Sequence, residues 1–303
     1  MLTSQPIHVL ELGGTLFVPA SHKNLEKILS GEKYPELRSI VIDFEDGLAS
    51  ADRTQALTHL PLLLKSLQKT KLLRFIRPQN EKMLKKLLQY ENIEKIDGFI
   101  LPKFNLDNAE TYLKVFQNAT FKTKNFKFMP SIEGKELFDP LKLQKLREIL
   151  LPYQKEIVCI RFGAQDMLRQ LDLKQKGSLY SMLVPSQVIA NVISTFKPYD
   201  FEISAPVYPD FSDIDGFTQE IQYELQNGLT SKTIIHPSQI APLNALYQVS
   251  RTEEQEAKII LEKEDGVVNL EGKMGERKTQ KPWAEQILKR VKSFGIYGGK
   301  KHS

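Results

Sequence analysis

FKFMPSIEG (126–134) and EIVCIRFGAQD (156–166) decide the reading of the fold. Each is an apolar run that stops at an acid, Glu133 in the first and Asp166 in the second. Runs rich in Val, Ile and Phe with turn residues behind them read as buried strands. Residues 135–152, between them, read as a helical connector. Two parallel strands joined this way bring Glu133 and Asp166 to the same end of one sheet. Two carboxylates at a strand edge, with room left for water and substrate, suit Mg2+ better than a closed protein cage does.

The same unit recurs along the chain. TLFVPA (15–20), SIVIDFED (39–46), KLLRFIRP (71–78) and GFILPK (98–103) precede the central pair, and DFEISAPVY (200–208) and KTIIHP (232–237) follow it. Helical patterns occupy 24–29, 53–67, 81–90, 107–117, 184–196 and 212–228, the last with Ser212 as its expected N-cap and Gly228 as its stop. Strand and helix therefore alternate about eight times, the count that closes a (β/α)8 TIM barrel, an α/β fold. Asp43, Glu45, Asp46, Arg77, Lys103, Glu133, Asp166 and His236 stand at or just past the C-terminal ends of the runs. Barrel enzymes place their chemistry at that face, because the βα loops open there. An open doubly wound sheet is the alternative, but the chain has no GxGxxG turn.

Composition narrows the class. The chain has 303 residues, ordinary apolar and charged fractions and a formal charge of +5. No apolar run approaches the roughly 20 residues of a membrane span, and MLTSQPIHVLELGG lacks the pattern of a signal peptide. Cys159 is the only cysteine and lies inside a strand-like run, which fits a cytoplasmic protein with a buried thiol. The basic excess falls on Arg277, Lys278, Lys281, Lys289, Arg290, Lys292, Lys300 and Lys301. A solvated helix face explains that tail without nucleic acid.

The order LFVPA, IDFED, IRPQN, LPK, IEG, FGAQD, IHPSQI resembles the citrate lyase beta-subunit and malyl-CoA lyase family, the HpcH/HpaI aldolase-related barrels, over most of residues 15–250. Within it the chain resembles the carbon–carbon lyases of stress-response and tellurium-resistance-type gene clusters. The resemblance implies a metal-dependent lyase that makes or breaks a carbon–carbon bond beside a carbonyl. It implies Glu133 and Asp166 as ligands of Mg2+ or Mn2+, and Arg77 as the substrate-binding arginine. EDGVVNLEGKMGERKTQKPWAEQIL (264–288) is similar to the family's C-terminal lid, a hairpin and helix. There Glu276 takes the place of a catalytic acid that is usually Asp. The expected layout is a barrel over 1–250 and a lid and oligomerisation segment over 251–303, in a homotrimer or homohexamer.

The chain also departs from the pattern. Gly13, Gly14 and Thr15 stand where relatives often carry an arginine, Ala20 replaces a glycine, Pro78 and Gln79 replace an asparagine, and Gly134 follows the metal glutamate. These changes bear on whether coenzyme A is part of the substrate more than on the lyase chemistry.

The expected chemistry follows from charge. A divalent ion on Glu133 and Asp166 would act as Lewis acid and template for a hydroxy or oxo acid. Arg77 would offer a two-pronged pair to a carboxylate, and Lys103 and Asp46 would line the substrate site. Glu276, or an acid among Asp43, Glu45 and Asp46, would move the proton. A Schiff base on Lys103 is the competing route, disfavoured because neighbouring carboxylates keep a lysine charged. Structural readings stand beside these: helix caps for the acids, an ion pair for Lys103, loop fixing for His236 and pocket lining for His22. A thioesterase using the same metal site and a non-catalytic ligand-binding barrel are the alternative functions.

Overall fold

The computed structural model describes residues 7–118, 126–262, 266–270 and 272–297. Lys300 and Lys301 of the basic tail lie outside them. The chain divides into two compact units, residues 1–240 and 241–303.

In the first unit the strands are β1 (Gly14–Pro19), β2 (Ser39–Asp43), β3 (Leu73–Arg77), β4 (Gly98–Leu101), β5 (Lys127–Ile132), β6 (Arg161–Phe162) and β7 (Lys232–Ile234). The helices are α1 (Val9–Leu12), α2 (Leu25–Leu29), α3 (Arg53–Ser66), α4 (Glu81–Leu87), α5 (Ala109–Asn118), α6 (Pro140–Leu150), α7 (Ala164–Gln170), α8 (Leu183–Phe196), α9 (Ile214–Gln226) and α10 (Ile240–Leu246), which runs across the division. All strand pairs are parallel, in the order β6-β5-β4-β3-β2-β1-β7. The ring closes through single parallel bridges, Ile160 to Ile203 and Ala205 to Lys232. The run read as a strand over 200–208 is thus reduced to the stave 203–205, held by Ser204 N–H to Ile160 O (2.9 Å) and Ala205 N–H to Ser231 O (2.8 Å). Pro206 and Pro209 follow it in the chain, and proline cannot donate to a ladder.

Why the elements form is visible in their side chains. Ile40, Val41 and Ile42 are fully buried, as β-branched residues flanked on both faces should be. α8 buries Val188, Ile189, Val192 and Phe196, a helical stripe turned to the strands. Asp139 caps α6, accepting from Leu141 and Lys142 N–H, with Pro140 in the first turn. α9 is capped by Asp213, which accepts from Gly216 N–H, one residue beyond the serine expected there. Cys159 is buried.

The second unit contains α11 (Arg251–Glu262), an antiparallel hairpin of β8 (Val267–Leu270) and β9 (Lys273–Glu276), and α12 (Arg277–Phe294). Val249, Ala257, Ile260, Leu270, Ala284 and Ile287 form its core. The hairpin and helix expected of the lid are both present. No helix among the described residues is long and apolar enough to cross a membrane.

Candidate active site

Register builds the site. Asp43 ends β2 and lies beside Arg77, the last residue of β3. Arg77 donates from Nε and Nη2 to the two oxygens of Asp43, each at 2.7 Å. Asp43 also accepts from the backbone N–H of Glu45 and Gly47, both at 3.0 Å. A Cβ on Gly47 would lie 2.4 Å from Asp43 Oδ2, so the loop closes this tightly only on glycine. Arg77 Nη1 lies 3.0 Å from Glu45 Oε2, an ion pair too poorly aligned to count as a hydrogen bond. The fork expected to grip a substrate carboxylate is therefore occupied by Asp43. Burial works against the charge on Arg77, but Asp43, Glu45 and Glu133 outweigh it and raise its pKa.

Lys103 follows β4 with a left-handed backbone, φ 49°, held by Asn105 and Asn108 side chains donating to its carbonyl. Its ammonium donates to Glu45 Oε1 and, at 3.2 Å, to Asp46 Oδ1. Burial lowers its pKa and these two acids more than restore it, so the net shift is upward. A lysine held charged in this way is a poor Schiff-base nucleophile.

Glu133, directly after β5, is 4 % exposed, and its Oε2 has no hydrogen-bond partner among the described residues. Burial pushes its pKa up to about 7, with Ser131 and Arg77 pulling down and Glu45 and Asp166 pushing up. Ligand oxygens of Glu45, Asp46 and Glu133 lie within 4.8 Å of one another. Asp166 is not at a strand end as expected. β6 stops at Phe162, and Asp166 sits in the first turn of α7, its carboxylate accepting from Arg169 at 2.9 Å. Its charge still reaches Glu133. A Cβ on Gly163, the α7 cap, would lie 2.6 Å from Glu133 Cγ, so glycine is what lets this turn press on the glutamate.

Other candidates fall elsewhere. Arg74, three residues before Arg77 and so on the opposite face of β3, donates to Leu29 O and Thr70 Oγ1. His236 caps a short turn through Nδ1 and stacks on Phe211 at 4.4 Å. His22 takes the Asn24 N–H and lines a cavity of about 520 Å³ between the loop after β1 and α3, with Ser21, Lys23, Gln55 and His59. Glu276 stands at the N-cap position of α12 in the second unit without a side-chain cap bond, its carboxylate accepting from Thr279 Oγ1. The sequence reading passed over Arg161, which is 3 % exposed. Its one signal was an arginine inside the apolar run VCIRF.

A parallel eight-stave ring with a ring of acids and cations at its C-terminal mouth defines a TIM-barrel enzyme site. Residues 6–296 match the family described as C-C_Bond_Lyase of the TIM-Barrel fold, and the chain belongs to that family of carbon–carbon lyases. It is 23% identical over 273 residues to citrate lyase subunit beta of Haemophilus influenzae, covering 86% of this chain and 90% of that one. It is 27% identical to the Escherichia coli K12 subunit over 142 residues, 45% of this chain and 46% of that one. Among solved structures, it superposes on CitE of Mycobacterium tuberculosis in complex with magnesium, acetoacetate and coenzyme A. That match has a TM-score of 0.67 at 19% identity and covers 92% of this chain and 98% of that one. RipC of Yersinia pestis matches with a TM-score of 0.61 at 18% identity, covering 81% and 99%.

Proposed function

We propose that this lyase is divalent-cation dependent and acts on a hydroxy or oxo acid, or on its acyl-CoA thioester. One observation carries the metal reading: the buried Glu133, one oxygen of which has no hydrogen-bond partner among the described residues, has its carboxylate within 4.8 Å of those of Glu45 and Asp46. Burying a carboxylate without a partner is costly, and a hard divalent ion on oxygen donors removes the cost. Glu133 and Asp166 would hold it, with Glu45 and Asp46 adjoining. A bound ion would supply Lewis acidity and a template for carboxylate and oxo oxygens.

The chain's own residues do the rest. Asp43 orients Arg77, so a fixed positive charge faces the mouth and favours negative charge that develops on the substrate. Lys103 neutralises Glu45 and Asp46 and stays protonated. Glu276 is the proposed proton-transfer group. The cavity beside the first strand, with Lys23 as a cation for phosphates, is the proposed seat of the carrier portion of a thioester. The relative solved with magnesium and coenzyme A supports both parts of this reading.

The test is turnover. Incubation with Mg2+ and a panel of hydroxyacyl-CoA thioesters and hydroxy acids should release an oxo or acyl fragment, and Glu133→Gln should lose at least 100-fold in rate. Equal turnover by the variant would remove Glu133 from the metal site. Free thiol without carbon–carbon cleavage would make the protein a thioesterase instead. Val267, Met274 and Trp283 of the second unit are exposed, and we expect a homo-oligomer, trimer or hexamer, to cover them. Light scattering showing only monomer at micromolar concentration would count against that.

A further inference from the structure

Among the described residues, Arg161 is a buried cation without a partner anion. It rises from β6 into the interior of the ring and donates from Nη2 to Thr15 Oγ1 at 2.8 Å and from Nη1 to Thr233 Oγ1 at 2.9 Å. Its Nε faces Met129 Sδ at 3.4 Å. These partners come from β1, β7 and β5, so the guanidinium lies across the lumen of the barrel. All of them are neutral. Each Nη keeps one further N–H, since the group carries five donors. Fully buried charges are paired or costly, and here the protein keeps one unpaired.

Its position relates it to the mouth. The Arg161 guanidinium lies 5.5 Å from the Phe17 ring centre, and that of Arg77 lies 5.1 Å from the same ring. The two cations are thus no farther apart than these distances together. Phe17 is only half-buried. The fork of Arg77 is taken by Asp43, whereas among the described residues no carboxylate takes that of Arg161. Of the two guanidinium groups facing the lumen, the deeper one is free to receive an anion.

We propose that Arg161 is the anion anchor of this site, binding the carboxylate of the acid substrate at the barrel floor, below the carboxylates of the mouth. The substrate class is then an acid with a free carboxylate, oriented end-on into the ring with its reacting carbon towards Glu133. The inference rests on the lyase reading for the word substrate, but the anion site does not depend on the metal.

Calorimetric titration with pyruvate in EDTA, at low chloride, separates the two. The parent should bind pyruvate, Arg161→Met should weaken binding at least tenfold, and Arg161→Lys should fall between. The melting temperature of Arg161→Met should match or exceed the parent's, because an unpaired buried charge has been removed. Absence of binding by the parent, or binding by Arg161→Met within twofold of it, overturns the proposal. So does a melting temperature well below the parent's in both variants, which assigns the residue to the scaffold. A tenfold difference in a protein with no lyase turnover leaves the anchor standing and removes the reading above. Turnover with unchanged pyruvate binding does the reverse.

Discussion

Two clusters in the barrel unit use the same parts, one lysine between two acids, to opposite ends. At the mouth, Lys103 lies between Glu45 and Asp46, and its side chain is 50% exposed. Between the strand ring and α9, Lys232 donates to Glu220 Oε1 (2.8 Å), Glu224 Oε1 (2.5 Å) and Pro206 O (2.9 Å), with all three side chains fully buried. The inner cluster is sealed from water: Ser178 donates to Glu220 and Tyr180 to Glu224 Oε1, although Glu224 Oε2 has no hydrogen-bond partner among the described residues. Burial pushes Glu224 up to about 8 even beside the lysine. The outer cluster is open to water through Lys103 and Asp46, and beside it Glu133 Oε2 has no hydrogen-bond partner among the described residues. Identical residue types therefore make a scaffold joint where the lysine and both acids are fully buried, and a candidate site where the lysine and one acid reach water.

The largest effect should come from breaking the inner cluster. Lys232→Met strands two carboxylates in the interior and should cost about 3–5 kcal/mol in urea unfolding. Next comes the pH response of Glu133. A carboxyl raised to about 7 binds its proton more tightly folded than unfolded. Its contribution to metal-free stability is therefore full below about pH 4.5, the ordinary value, and fades as pH rises through 7. The loss is up to about 3 kcal/mol. Glu133→Gln should flatten that fall, and an unchanged pH profile would contradict the assignment. In the same range, Mg2+ affinity should drop about tenfold per unit below pH 7, because the ion displaces a proton. Gly163→Ala forces a methyl against Glu133 and should cost about 1–3 kcal/mol, with weaker Mg2+ binding. Smallest of all, Lys103→Met should change stability by about 1 kcal/mol or less, being half in water. A loss as large as that of Lys232→Met would erase the distinction between the clusters.

The barrel was legible because strand ends and polar residues coincide: Asp43, Arg77 and Glu133 stand at or just past the ends of β2, β3 and β5. What pairs with what was less legible. Asp43 and Arg77 were both recognised, but their bond follows from Asp43 lying beside Arg77 across β2 and β3, which one strand alone cannot reveal. Asp166 read as a strand end because IRFGAQD is apolar up to glycine, yet the strand is two residues long and the helix begins at Ala164. Arg161 was hidden by its surroundings. An arginine within an apolar run carries no periodic signal, and its importance lies in what the opposite side of the ring does not provide.

Asp43 has a mechanical consequence. It holds the arginine of the next strand with both oxygens and, with the same oxygens, the amide hydrogens of Glu45 and Gly47. The arginine head and the peptide segment carrying Glu45 and Asp46 are thereby geared together. A molecule that nudges the one must tug on the other, so occupancy at the barrel's centre is felt as a shift in the acids at its rim.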